Sequence, residues 1–250
     1  MAKKAKFKLY ATSLAATTLL AACGGTAADS TESNASSGTT EASDNILDVQ
    51  FDVEVASLDP QIGTDGASFQ VVASMMEGLY QLDPDGNAVP GMAEKTEVSE
   101  DGLTYTFKIR DAKWTNGDAV TAHDFVYAWQ RLVDPETGSE YAYIMDIAGV
   151  ENAAAIMDGS QAPDTLGAVA KDDKTLEVKL THPVPYFESL MAFVSFFPMN
   201  EKFMDEVGAN YGTSPETTIA NGAFKLDSYE PLATSIKLSK NEDYYDAANV

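Results

Sequence analysis

In the stretch TAHDFVYAWQRL (121–132), the apolar residues Phe125, Ala128, Trp129 and Leu132 recur at the i, i+3, i+4, i+7 spacing of one helix face. Thr121 stands at the N-cap position, and Asp124 three residues later makes a near capping box with Asp in place of Glu. The pattern predicts a core-facing helix over 121–132. Phe69, Val72, Met75, Met76 and Leu79 repeat the helical period and predict a helix over 68–80, weakened near its end by Gly78. The period drops to two in LTYTFKIR (103–110), where Leu103, Tyr105, Phe107 and Ile109 share one face of a strand. Further strands are expected in ILDVQFDVEVASLDP (46–60), KTLEVKL (174–180), AFKLDSY (223–229) and TSIKLSKN (234–241). Short helices are expected in PVPYFESLMAF (183–193), entered through prolines, and in NEKFMDEV (200–207). LDPDGNAV and Asn116-Gly117 read as turns. Helices and strands mix without a strict βαβ rhythm, so the class is α/β in the broad sense, a mixed α+β fold.

The N-terminal region breaks this pattern. Lys3, Lys4, Lys6 and Lys8 precede an uncharged run from Leu9 to Ala22, too short to span a bilayer comfortably. Residues 1–22 therefore read as a secretory signal. Its end, Leu20-Ala21-Ala22-Cys23, resembles the lipobox of bacterial lipoproteins, which implies lipid attachment at Cys23. Residues 24–45, GGTAADSTESNASSGTTEASDN, hold no aromatic or large aliphatic side chain and cannot offset the entropy of ordering. With Cys23 they read as a lipidated, flexible tether over 23–45 that stands a folded body off a membrane, on the outer face of a Gram-positive cell.

Charge narrows the partners. The chain of 250 residues carries a formal charge of −23, which repels phosphate backbones and argues against nucleic acid. A hydrophobic content of 44% suits a folded soluble body. Cys23 is the only cysteine, so no intrachain disulfide forms.

Candidate chemistry is sparse. His123 and Asp124 are adjacent, but neighbouring helical residues do not face each other, and the cap and helix dipole account for Asp124. Asp83, Asp85, Asn87 and Glu94 match calcium-loop positions, yet the sharp-turn position carries Ala88 where glycine is needed. No metal-ligand spacing, nucleophile elbow, Walker loop or dinucleotide fingerprint is present, so neither a metal nor a cofactor is expected and the chain does not read as an enzyme. Tyr141 and Tyr143, in the turn-rich run after the Trp129 helix, could each offer a flat face and a hydroxyl to a ligand, or equally pack under the loop.

Several blocks together resemble a known family. SLDP (57–60), EGLYQLDPDGNAVPGMAE (77–94), SEDGLTYTFKIRDAKWTNGDAVTAHDFVYAWQRL (99–132), HPVPYF (182–187), NGAFKL (221–226) and NEDYYDAANV (241–250) resemble the family-5 extracellular solute-binding proteins, the peptide-binding lipoproteins of ABC importers. The likeness runs from about residue 46 to the end. Thr96 departs from it, standing where the family usually has tryptophan.

The resemblance implies a bilobed fold of the periplasmic-binding-protein type II that closes on its ligand by hinge motion. Residues 46–80 would begin lobe one, 81–190 would form an inserted small domain, and 191–250 would return to lobe one. Family members are considerably longer, so the chain is expected to be an N-terminal portion lacking the second lobe, with uncovered apolar surface and marginal stability of its own. An extended oligopeptide would be held through its backbone as an added strand. Thr64, Asp65, Gly66 and Tyr141 map onto the ligand-lining positions, and Asn221 lies near the cleft. The implied partners are the oligopeptide, an ABC permease and ATPase complex, and the membrane that holds the anchor; a monomer is expected. The same fold could instead serve dipeptides, a signalling peptide, nickel or oligosaccharide, or be reused as an adhesin or chaperone.

Overall fold

Residues 46–49, 51, 53–229 and 235–250 are described in the computed structural model. Cys23 and the whole of the leader and tether lie outside them. Along the chain run strand β1 (Ile46–Val49), helix α1 (Gly66–Met75), the hairpin strands β2 (Tyr80–Leu82) and β3 (Ala88–Pro90), β4 (Ala93–Val98) and β5 (Thr104–Ile109). Helices α2 (Ala122–Val133), α3 (Tyr143–Ile147) and α4 (Ala153–Met157) follow, then β6 (Ala168–Asp172) and β7 (Thr175–Lys179). The last part holds α5 (Phe187–Leu190), α6 (Glu201–Val207), β8 (Phe224–Ser228) and β9 (Ile236–Lys240).

Pairing is antiparallel throughout these strands. One sheet has the order β4-β5-β7-β6, and another joins the two ends of the described chain as β1-β9-β8. In the first sheet Tyr105 pairs with Val178 and Phe107 with Leu176, so the alternating apolar faces of β5 and β7 coincide. Helix α2 covers β6 and β7. Its predicted stripe is the buried one: Phe125, Ala128, Trp129 and Leu132 are all fully excluded from solvent. Phe187 packs on the same sheet, 4.6 Å from the Tyr105 ring.

Three expected elements end differently. The strand expected over 46–60 is confined to Ile46–Val49, with no strand among the described residues from 53 to 60. The helix expected over 68–80 begins at Gly66 and stops at Met75, where Met76 turns extended (φ −123°, ψ 156°). The cause is tertiary. A Cβ on Gly78 would lie 2.6 Å from the Phe197 ring, so the chain passes there as closely packed backbone. The helix expected over 183–193 shrinks to Phe187–Leu190, followed by a 3-10 turn at Val194–Phe196. Helix α6 forms as expected, with Asn200 as N-cap accepting the Phe203 amide at 2.8 Å.

Candidate functional site

The SLDP block ends in a tight turn. The Asp59 carbonyl accepts the amides of Ile62 (3.3 Å) and Gly63 (2.9 Å), which swings the chain outward to Thr64. Asp65 then caps α1, its carboxylate accepting the Ser68 amide at 2.8 Å and the Ser68 hydroxyl at 2.5 Å. Burial works to raise its pKa, but those two hydrogen bonds prevail and hold the carboxyl below its ordinary value. Ser68 Oγ in turn accepts the amides of Ala56 and Ser57, both at 3.1 Å. The turn is thus rigidly seated, whereas Thr64 and Gly66 are exposed. Among the described residues nothing hydrogen-bonds to the Thr64 backbone.

An aromatic wall stands beside this turn. Phe69, on the first turn of α1, meets Tyr141 edge-on at 5.4 Å, and Phe193 lies 5.3 Å from both rings. Tyr143 stacks on Tyr141 at 6.0 Å and is 52% exposed. Ser139 ties the loop of Tyr141 to the turn, donating its hydroxyl to the Gln61 carbonyl at 2.5 Å. Thr64, Asp65, Gly66 and Tyr141 therefore share one neighbourhood, linked through Phe69. Phe69 and Phe193 are not singled out as site residues in the sequence, where Phe69 belongs to the apolar helical period and Phe193 ends the helix expected over 183–193.

Asn221 lies elsewhere, at the C-terminal end of α1. It is 1% exposed; its Oδ1 accepts the Glu77 amide at 3.0 Å and its Nδ2 donates to the Glu77 carbonyl at 2.9 Å. Both polar atoms are engaged within the chain. The Glu77 carboxylate accepts the hydroxyls of Tyr244 (2.5 Å) and Tyr245 (2.8 Å). Burial raises the pKa of Glu77 against those two bonds and the Arg110 charge, and burial likewise pushes Tyr245 up to about 12. Next to this contact a cleft of about 340 Å³ is lined by Ala73, Met76, Glu77, Leu82, Phe197 and Tyr244.

The remaining titratable candidates are engaged locally. His123 is exposed, 3.5 Å from Asp173. Asp83 closes the β2–β3 hairpin, accepting the amides of Asp85 (2.9 Å) and Asn87 (2.8 Å). Asp124 forms the α2 capping box, accepting the Thr121 amide at 2.7 Å and the Trp114 indole at 3.2 Å. Burial nevertheless carries its pKa up to about 6. The folded state therefore binds a proton more tightly than the unfolded chain, and stability falls as pH rises from about 4 to about 6. Across that window the wild type should lose roughly 2 kcal/mol relative to Asp124→Asn, read from urea unfolding at successive pH values. Parallel curves for the two proteins would refute this. Among the described residues, no group of three or more His, Cys, Asp or Glu side chains is placed to hold a metal ion, and no helix is long and apolar enough to cross a membrane.

Comparison with known proteins places these features in a wider set. The family described as bacterial extracellular solute-binding proteins, family 5, middle, matches residues 87–250. The dipeptide-binding protein of Lactococcus lactis subsp. cremoris is 43% identical over 208 residues, 81% of this chain and 38% of its own. The substrate-binding domain of an oligopeptide ABC transporter from Bacillus anthracis superposes with a TM-score of 0.78 at 45% identity, covering 81% of this chain and 39% of that one. Listeria monocytogenes OppA bound to peptide gives 0.75 at 41% identity, covering 78% and 38%. The chain thus spans about two fifths of the length of each of these relatives.

Proposed function

Because the chain belongs to family 5 of the bacterial extracellular solute-binding proteins, we propose that the protein captures oligopeptides for an ABC importer and performs no chemistry on them. Homologues named for dipeptide and oligopeptide binding, and a similar structure described as bound to peptide, support the ligand class. The observation that carries the reading is local: an exposed turn, whose Thr64 backbone has no hydrogen-bond partner among the described residues, stands beside a wall of Tyr141, Phe69 and Phe193. Such a pairing suits an extended peptide, whose amides pair with backbone while a side chain lies on the rings. Thr64, Asp65, Gly66 and Tyr141 are the proposed contacts. Asn221 is kept apart from them, as a support for the C-terminal end of α1.

The proposal extends to the whole receptor. Lipid on Cys23 would hold it as a monomer at the outer face of the membrane, with 23–45 as tether, and a permease and its ATPase would take the peptide onward. The division of the body into 46–80, 81–190 and 191–250 is supported by strand pairing. Strand β1 joins β8 and β9, while the four-stranded sheet is built only from residues 93–179.

The test is titration calorimetry of the full natural gene product with tetra-alanine and with unrelated tri- and pentapeptides. Binding of several sequences is expected, weakened roughly tenfold by Tyr141→Ala, or about 1.4 kcal/mol. A mutant that binds every peptide as the wild type does would remove Tyr141 from the site.

A further inference from the structure

The turn at 61–66 has no regular secondary structure before α1, so something else must keep it in place. Beneath it lies a buried polar network whose members are far apart in sequence. Arg131, in the last turn of α2, forks onto Asp59: Nη1 donates to Oδ1 at 2.9 Å and Nη2 to Oδ2 at 2.7 Å. The Asp59 side chain is 3% exposed and that of Arg131 15%. Asp59 Oδ1 also accepts the Gln61 amide at 2.9 Å. The Gln61 side chain bridges two sides: its Oε1 accepts from Arg131 Nη1 at 3.4 Å, and its Nε2 donates to the carbonyls of Phe197 (3.1 Å) and Ser195 (3.4 Å). Ser139 closes the ring by donating to the Gln61 carbonyl and accepting the Tyr141 amide at 3.2 Å.

The three segments meeting on this network are those that carry the candidate surface: the turn of Thr64, the loop of Tyr141, and the run beginning at Phe193. We infer that Arg131 is a positioning residue for ligand binding, its fork on Asp59 setting the height and angle of the 61–66 turn against Tyr141. The inference rests on the reading of Thr64–Gly66 and Tyr141 as ligand contacts. A planar, bidentate guanidinium fixes orientation as well as distance, which a lysine ammonium cannot do. Preorganising a backbone edge in this way spares the ordering cost on binding.

A structural ion pair and a positioning one separate under double substitution. Replacing both buried partners by apolar residues of similar volume is commonly neutral for folding, whereas removing one leaves an unpaired buried charge. Asp59→Leu/Arg131→Met is therefore the informative variant, with Arg131→Lys as a second that retains the charge. Three readouts are taken on the full natural gene product: the urea midpoint, hydrogen exchange of the Ile62 and Gly63 amides, and the tetra-alanine Kd. The double variant leaves the buried Gln61 amide without its acceptor, so it should unfold below the wild-type midpoint but nearer to it than Arg131→Met alone, yet exchange those amides at least about tenfold faster and bind at least about tenfold more weakly. Arg131→Lys should fall between the double variant and the wild type and decides the matter if the double variant does not fold. Wild-type exchange and Kd in whichever variant folds would overturn the inference. If the wild type itself ignores tetra-alanine and other peptides, the peptide reading fails, and unchanged or accelerated exchange still judges the clamp.

Discussion

Trp129→Ala should cost about 3–5 kcal/mol of folding stability, measured as a shift in urea midpoint at constant slope. The indole is fully buried in the α2 stripe, and its Nε1 donates to the Phe196 carbonyl at 2.9 Å. Its ring meets Phe196 edge-on at 5.7 Å. Truncation leaves a large cavity between α2 and the 195–197 run, and it orphans a buried carbonyl. Trp129→Phe separates the two effects, because it refills most of the cavity and loses only the hydrogen bond, for about 1–3 kcal/mol. A loss below about 1 kcal/mol for the alanine variant would mean that α2 is not seated on this run as described.

The same helix shows what a single chain can reveal of its own fold. Its stripe, cap and boundaries are local properties, set by spacing and by the Thr121–Asp124 pair, and they reappear with little change as Ala122–Val133. Strands β5 and β7 were legible for the same reason, since each buries one face. Strand β4 was not: AEKTEV has a single buried side chain, Ala93, and no alternation to read. The early end of α1 was also hidden. Its apolar period continues to Leu79, but Phe197 and Asn221, more than a hundred residues away, decide where the helix stops.

The candidate site divides along the same line. The turn at 64–66 and Tyr141 were reached through a family likeness, and the structure brings them together. Phe69 and Phe193 complete the wall, but a phenylalanine at helical spacing carries no mark that distinguishes a lining position from a core one. The Asp59–Arg131 pair spans 72 positions and leaves no periodic trace in the sequence.

Asn221 is where motif and geometry pull apart, and its substitution should have the second large effect. Asn221→Leu is expected to destabilise the fold by about 2–6 kcal/mol, from two buried backbone groups each losing a partner at about 1–3 kcal/mol. Those groups are the Glu77 amide and carbonyl, held at 3.0 and 2.9 Å. Gly222 follows immediately, and its amide donates to the Met75 carbonyl at 2.8 Å, so the NGAF block terminates α1 from the side. A Cβ on Gly222 would stand 2.7 Å from that carbonyl oxygen, which explains glycine next to asparagine. Asn221→Asp sharpens the test. It can still accept the Glu77 amide, but it sets a second oxygen against the Glu77 carbonyl, so stability should drop at neutral pH and recover partly in acid as the new carboxyl protonates. A ligand contact would behave differently, with affinity for peptide falling while the urea midpoint held. The expected order is the reverse: a large loss of stability, and wild-type affinity in whatever fraction remains folded.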